Sequence, residues 1–349
     1  MSQTPPRPPA GPPAPRPVPT SADVARLAGV SRATVSYVLN NASAVRISDP
    51  TRHRVRQAAE ELGYVPHAAA RSLRAGRTRI VLLPTVPVPV GPLLGHFLNE
   101  LQWALRRLDY TVVQYASMGL DGDEAARAWA ELRPVAVVAF GAAQLTPHGV
   151  DVLKRSGARA VITLGPQPVE GAHCLPVDQR RVGRCAGAHL LDRGYRRIGV
   201  VLPEEAGLEP LSGPRLDGVR QAVGGTGSGA GADVVPLPLA YTEEAAGALA
   251  ARWPDLGLDA VFAHNDEYAM LLMRALLDAG VSVPGDTAVM GADDLLLGRL
   301  LRPRLSTVRI DMETGRHLAE LVDHLVVEPD HAPEPRELMA ARAIHRAST

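Results

Sequence analysis

Thr20–Asn40 reads TSADVARLAGVSRATVSYVLN, two short amphipathic stretches joined at a glycine. Thr20 is a natural helix N-cap, and Asp23, three residues on, puts a carboxylate in the first turn, where the helix dipole favours negative charge. Val24, Leu27 and Ala28 then recur at helical spacing along one face. Gly29 offers the left-handed residue on which helices commonly end. Ser31 caps a second helix in which Thr34, Val35 and Val38 face inward and Arg32, Ala33, Ser36 and Tyr37 face outward. This is a helix-turn-helix, the motif whose second helix lies in the DNA major groove.

Working outward, Val45–Arg52 opens a third helix with Ser48 as its cap and Pro50 in the first turn, where the missing N–H costs little. Val55, Ala58, Ala59 and Leu62 form its apolar stripe, and Gly63 ends it. Pro66 breaks the chain before HAAARSLRAG (67–76), a helix former only about two and a half turns long and marginal in water unless docked. Residues 1–19 hold nine prolines and no apolar periodicity, the composition of a disordered, partly polyproline-II tail.

The net charge of zero hides an asymmetry. Residues 1–79 carry 12 Arg against 4 Asp or Glu, a balance of +8, so the remainder carries −8. A basic N-terminal module on a mildly acidic body suits phosphate contact at one end only. Two cysteines, Cys174 and Cys185, make neither a disulfide framework nor a metal-ligand spacing, and read as buried thiols in a reducing cytoplasm. No apolar run is long enough to span a bilayer, and no h-region marks a secretory signal.

From Thr78 onward β and α signals alternate. Strands are expected at Ile80–Leu83, Thr111–Tyr115, Val135–Phe140, Ala160–Leu164, Ile198–Leu202, Asp233–Leu237, Ala260–Ala263 and Ala288–Gly291. Helices are expected at Leu93–Leu108 and Glu124–Leu132, and at about 182–192, 214–223, 242–252 and 267–279. Apolar strands alternating with amphipathic helices imply parallel sheets covered on both faces. So many units over about 270 residues suggest two doubly wound subdomains, with ligands gathering beyond the carboxyl ends of the strands.

The chain resembles transcription regulators of the lactose-repressor and galactose-repressor (LacI-type) family. The likeness covers residues 20–349 and rests on an ordered series: DVARLAGVS (23–31), TVS (34–36), TR (51–52) with ELGYVP (61–66), ARSLRAGRT (70–78), HLLDRGYRRI (189–198), ND (265–266), VP (283–284), GADD (291–294), LSTV (305–308) and RAST (346–349). The resemblance implies a helix-turn-helix headpiece at 20–65 and a hinge helix and linker at 66–78. It also implies an effector-binding and dimerisation core at 79–349, similar to periplasmic sugar-binding proteins. Its N-subdomain would comprise about 79–176 plus 308–327, and its C-subdomain 177–307 plus 328–349. A homodimer, or a tetramer, would bind a pseudo-palindromic operator.

Within that resemblance, Arg32, Ala33 and Tyr37 face base edges. Arg32 can donate two hydrogen bonds to a guanine or make a non-specific phosphate contact. Ser31, Thr34 and Ser36 grip phosphates. Leu73 wedges into a minor-groove base step or packs on the core. Arg215, Asn265, Asp293, Asp178 and Tyr241 line the cleft. Arginine, carboxylates and an amide suit vicinal hydroxyls, since each sugar OH both donates and accepts. Each of these residues can equally be a structural hydrogen bond at a strand end. The chain departs from the family in having Gly91-Pro92-Leu93-Leu94 where Asn-Pro-Phe-Phe is usual, Ala292 where an aromatic is frequent, and His67 where asparagine is common. The resemblance implies a sugar effector first; these departures leave a nucleoside or other polar metabolite, or no effector, as alternatives.

No catalytic constellation and no cofactor site is apparent. GSGAGA (227–232) matches G-x-G-x-x-A but precedes a strand instead of following one, the reverse of a dinucleotide site. A solute-binding transport protein would explain the core but not the fused helix-turn-helix.

Overall fold

The computed structural model describes residues 18–39, 46–65, 78–85, 91–116, 119–120, 122–140, 145–225, 231–329 and 338–349. The Pro-rich tail, the hinge segment with His67 and Leu73, and most of GSGAGA lie outside these. The chain divides into two compact units, Met1–Thr78 and Arg79–Thr349.

The first unit is three helices: α1 (Ser21–Ala28), α2 (Arg32–Leu39) and α3 (Asp49–Glu61). At the start of α1, the Thr20 N–H (2.9 Å) and hydroxyl (2.6 Å) both donate to the Asp23 carboxylate. Gly29 ends the helix at φ 65°. The core is Val24, Ala25, Ala28, Val35, Val38, Val55, Ala58 and Ala59. Leu27, expected on the inner face, is instead 47% exposed. α1 packs against both α2 and α3, and the face turned to them is centred on Val24 and Ala28, so Ala25 is covered and Leu27 falls outside it.

The second unit holds two sheets. The first is wholly parallel, in the order β2 (Thr111–Ala116), β1 (Ile80–Thr85), β3 (Ala136–Phe140), β4 (Ala160–Gly165), β5 (His173–Pro176). Alternate residues serve opposite faces, as strand geometry requires. Val81, Leu83, Ala136, Val138 and Ile162 pack on α4 (Pro92–Arg107) and α13 (Gly315–Val327). Leu82, Val137 and Val161 pack on α5 (Gly122–Ala130) and α6 (Pro147–Ser156).

The second sheet runs β11 (Met339–Ile344), β10 (Ser306–Met312), β9 (Ala288–Ala292), β8 (Ala260–Phe262), β6 (Arg197–Pro203), β7 (Asp233–Leu239). It is parallel except for β11, which pairs antiparallel with β10 along the edge. One face carries α7 (Gln179–Asp192) and α8 (Glu209–Gly225). The other carries α9 (Glu243–Ala251), the short α10 (Trp253–Leu256) and α11 (Asp266–Asp278). A five-residue helix, α12 (Leu296–Leu300), follows β9.

Strands β5, β10 and β11 and helices α6, α10, α12 and α13 go beyond the sequence expectation. β10 also moves one boundary: it pairs with β11 from Thr307 to Met312, inside the C-terminal sheet. The chain therefore enters the N-terminal subdomain at about residue 313 and not at 308, and α13 is the part that joins the first core.

α7 and α8 cross at unusual closeness. A Cβ on Gly183 would lie 1.8 Å from the Arg215 carbonyl oxygen, and one on Gly218 would lie 2.1 Å from the Arg180 carbonyl oxygen. Only glycine lets these backbones touch, and the contact fixes where α8 presents Arg215.

Candidate functional site

On the first unit the chemistry lies along α2. Val35 and Val38 are 1% exposed and anchor the helix to the three-helix core. Arg32, Ala33 and Tyr37 are exposed and Ser36 half-buried. Arg32 and Ala33 lie three to five residues before Ser36 and Tyr37, so the four share one helix face. Ser31 Oγ accepts from the Thr34 N–H at 3.1 Å, and the two hydroxyls pair at 2.9 Å. These hydroxyls thus cap the helix and order its first turn, where Arg32 and Ala33 sit.

On the second unit a cluster forms where β6, β7, β8 and β9 end. Glu205 follows β6, Tyr241 follows β7, His264 and Asn265 follow β8, and Asp293 follows β9. Tyr268 and Glu267 come from the first turn of α11. Arg215, 5% exposed, reaches in from α8. Its Nε donates to Gln179 Oε1 at 2.9 Å, and its Nη1 donates to the His264 carbonyl oxygen. One guanidinium thereby joins α7, α8 and the end of β8.

Burial lowers the Arg215 pKa, opposed by the nearby Asp293 carboxylate; burial raises that of Asp293, opposed by Arg215. The two are mutual electrostatic partners in a desolvated setting. Asp293 sits at φ 99° and Asp294 at 55°, consecutive left-handed residues that are not glycine. The Asp293 N–H donates to the Val308 carbonyl at 2.9 Å, pinning this strained turn. Asp294 turns away to accept from Arg299, Arg309 and Arg346.

Glu205 is held from two sides, by the Tyr241 N–H and the Tyr268 hydroxyl. Burial raises its pKa, but these hydrogen bonds outweigh that and keep it below the usual carboxylate range. The Tyr241 and Tyr268 rings lie 5.0 Å apart, tilted by 50°. His264 meets the Tyr268 ring edge-on at 5.8 Å. Burial and then Arg215 push the His264 pKa well below its ordinary value, so its imidazole is neutral, and its Nδ1 has no hydrogen-bond partner.

Residues 20–67 match the model of bacterial regulatory proteins of the lacI family, and residues 188–349 match a periplasmic binding protein-like domain. The chain is 30% identical to the Escherichia coli K12 HTH-type transcriptional regulator GalR over 326 residues, covering 90% of this chain and 91% of that protein. It belongs to the LacI family. Among solved structures, a LacI-family transcriptional regulator from Silicibacter pomeroyi superposes with a TM-score of 0.75 at 26% identity, over 94% of this chain and 98% of that one. A complex of the regulator CelR with cellobiose superposes at 0.61 and 25% identity, over 95% and 100%. As a LacI-family member the chain is a transcription regulator with a DNA-binding helix-turn-helix and a periplasmic-binding-like core, and not an enzyme.

Of the cleft residues that the LacI-family pattern implies, Arg215, Asn265, Asp293 and Tyr241 converge on one sheet edge. Asn265 also supports the fold, since its Oδ1 caps α11 by accepting from the Tyr268 N–H at 3.0 Å and its Nδ2 reaches Glu267 at 3.4 Å. Asp178 caps α7 through the Arg180 N–H at 3.0 Å and lies 3.6 Å from Arg184. It meets the cluster only through its neighbour Gln179. Glu205, His264, Glu267, Tyr268 and Gln179 were not expected there. The signal that could have found Glu205 is its place just past Pro203, the last residue of β6. Among the described residues no helix is long and apolar enough to cross a membrane, and no His, Cys, Asp or Glu group could hold a metal.

Proposed function

We propose that this chain is a cytoplasmic repressor that binds a pseudo-palindromic operator as a homodimer and responds to a small polar effector at the C-terminal edge of its second sheet. The observation that carries the DNA half is the face of α2. Arg32, Ala33 and Tyr37 stand outward on a capped helix whose other side is locked by Val35 and Val38. A rigid helix holding a guanidinium and a phenol outward is what base reading in the major groove needs. Leu296, Leu297 and Leu300 on α12, all more than half exposed, support the dimer by offering apolar surface for pairing.

For the effector, the support is the convergence of Arg215, Asp293, Asn265 and Tyr241, together with the cellobiose held by CelR. Binding there would change the operator affinity of the headpieces through the segment 66–78, and by linkage operator would change effector affinity equally.

The test is selection of bound duplexes from a random pool, then titration of the selected duplex and a scrambled one. Arg32→Ala is expected to weaken the selected duplex by about tenfold to a hundredfold, from about 1–3 kcal/mol per bidentate contact, while changing scrambled DNA far less. Equal losses on both would reduce Arg32 to a phosphate contact. Failure of any sequence to emerge from selection would overturn the operator reading.

A further inference from the structure

We infer that the effector this edge accepts carries an ammonium group: an amino sugar or another small organic cation, in preference to a neutral sugar. The inference rests on the effector reading above and sharpens it. Glu205, Glu267 and Asp293 face the edge with Arg215 as the single cation among them, leaving two carboxylates in excess. Among the described residues neither Glu205 nor Glu267 has an arginine or lysine within ion-pair distance. Arg215 cannot serve them, because it is buried, with Nε on Gln179, Nη1 on the His264 carbonyl and Asp293 as its electrostatic partner.

These carboxylates sit beside two aromatic faces. Both Glu205 and Glu267 act electrostatically on Tyr268, and Glu267 also on Tyr241. Tyr241 is 49% exposed, so the tilted ring pair is open on one side. Carboxylates flanking an open aromatic pair form the environment that holds an organic cation, through direct charge attraction and the ring quadrupole. Covering the same edge with a neutral ligand would desolvate the excess carboxylates with only hydroxyls to compensate, a less favourable exchange.

A second, independent observation is His264. It is 5% exposed, it packs edge-on to Tyr268, and its Nδ1 finds no partner in the protein. Buried polar nitrogens are nearly always satisfied, so an orphan in this cluster points to a bound polar group. A neutral imidazole beside Tyr268 can bond a ligand hydroxyl or amine without adding positive charge to the edge.

The test uses the full chain, with glucosamine and putrescine as cationic probes and glucose and cellobiose as neutral ones, read by thermal shift and calorimetric titration. At least one cationic probe is expected to raise the melting temperature where the neutral probes do not. Glu267→Gln, which disturbs only one 3.4 Å contact, should weaken that binding about tenfold, and Glu205→Gln at least as much. Binding of the cationic probe should weaken as ionic strength rises, and less steeply in the Glu267→Gln protein; equal steepness in the two would count against the assignment. Binding of glucose or cellobiose with glucosamine and putrescine inert would overturn the cationic assignment and keep the effector reading. Cation binding unchanged in Glu267→Gln would overturn the assignment of this edge. If none of the four binds or alters operator retention, both readings fall.

Discussion

Replacing Gly183 by alanine tests whether the α7–α8 crossing positions the buried arginine. The added Cβ would stand 1.8 Å from the Arg215 carbonyl oxygen, 2.7 Å from its carbonyl carbon and 3.0 Å from its Cα. An ordinary carbon–oxygen contact is above about 3 Å, so the helices must separate by more than about 1 Å. The obstacle is backbone, so no side chain can rotate away. Overpacking of this kind costs about 1–3 kcal/mol, and the better helix propensity of alanine offsets no more than about 1. A clash against fixed backbone belongs at the upper end of that range, so the net loss is about 1–2 kcal/mol. At about 2–4 °C per kcal/mol in a unit of roughly 270 residues, melting should fall by about 2–8 °C. Gly247→Ala is the control. It lies in α9 with nothing within 4 Å of a new Cβ, and should be neutral or slightly stabilising. Calorimetric melts of the three proteins decide the matter. Because Arg215 itself would be displaced, its bonds to Gln179 and to the His264 carbonyl should slacken, and any ligand-induced rise in melting temperature should shrink. A Gly183→Ala protein that melts with or above the wild type would refute the reasoning.

Asp294→Asn should destabilise the fold by about 3 kcal/mol, since three arginines lose a common carboxylate that is itself 3% exposed, and denaturant melts will read it. Although burial raises the Asp294 pKa, hydrogen bonds from Arg346, Arg309 and Arg299 lower it further, so its contribution is complete above about pH 4 and fades as pH falls through the lower folded-state value. Asp266 works in the opposite sense. Fully buried, it accepts from Thr307 Oγ1 at 2.6 Å and the Leu295 N–H at 2.7 Å, yet desolvation dominates and pushes its pKa up to about 7. Between about pH 4 and 7 the folded state therefore binds the extra proton, and stability should decline as pH rises through that window. Melting temperature followed against pH should show that decline in the wild type and less of it in Asp266→Asn; equal slopes would refute the assignment.

Strands such as Ile80–Thr85 and Ala288–Ala292 announce themselves as apolar runs because both of their faces are buried. β10 and β11 do not, since STVRIDM carries Arg309 and Asp311 and MAARAI is mostly alanine and arginine at a sheet edge. What makes them strands is the pairing between them, which a local pattern does not encode. The candidate site divides the same way. Asn265 and Asp293 could be placed because each follows an apolar run that reads as a parallel strand, whereas Arg215, on a helix, and Tyr241 follow only from the likeness to the LacI family. Glu205 lies in a Pro-Glu-Glu loop that reads as solvated surface, and Tyr268 reads as a core position of an amphipathic helix. Only the closure of β6, β7 and β8 side by side brings the phenol of one to the carboxylate of the other. The Ser31–Thr34 hydroxyl pair was hidden for a related reason. Composition shows two donors at a helix start, but not that each is already engaged by the other.

Under the effector reading, the arrangement around Asp293 and Asp294 also explains how a ligand could act at a distance. Asp293 faces Arg215 and the strand edge, while the next carboxylate clamps Arg309 of β10 and Arg346 beyond β11. β10 is the strand that leaves this sheet for α13 and the core of the other subdomain. The two aspartates are consecutive residues in a strained left-handed turn, so under this reading a pull on Asp293 is expected to be felt at Asp294. A ligand drawing Asp293 or Arg215 toward itself would act on the crossing strand through one residue. Coupling of this kind needs only that the ligand prefer one setting of that turn over another. Asp294→Asn therefore separates two roles: if the clamp only stabilises, operator release per bound effector is unchanged, and if it transmits, release weakens while effector binding at the intact edge persists.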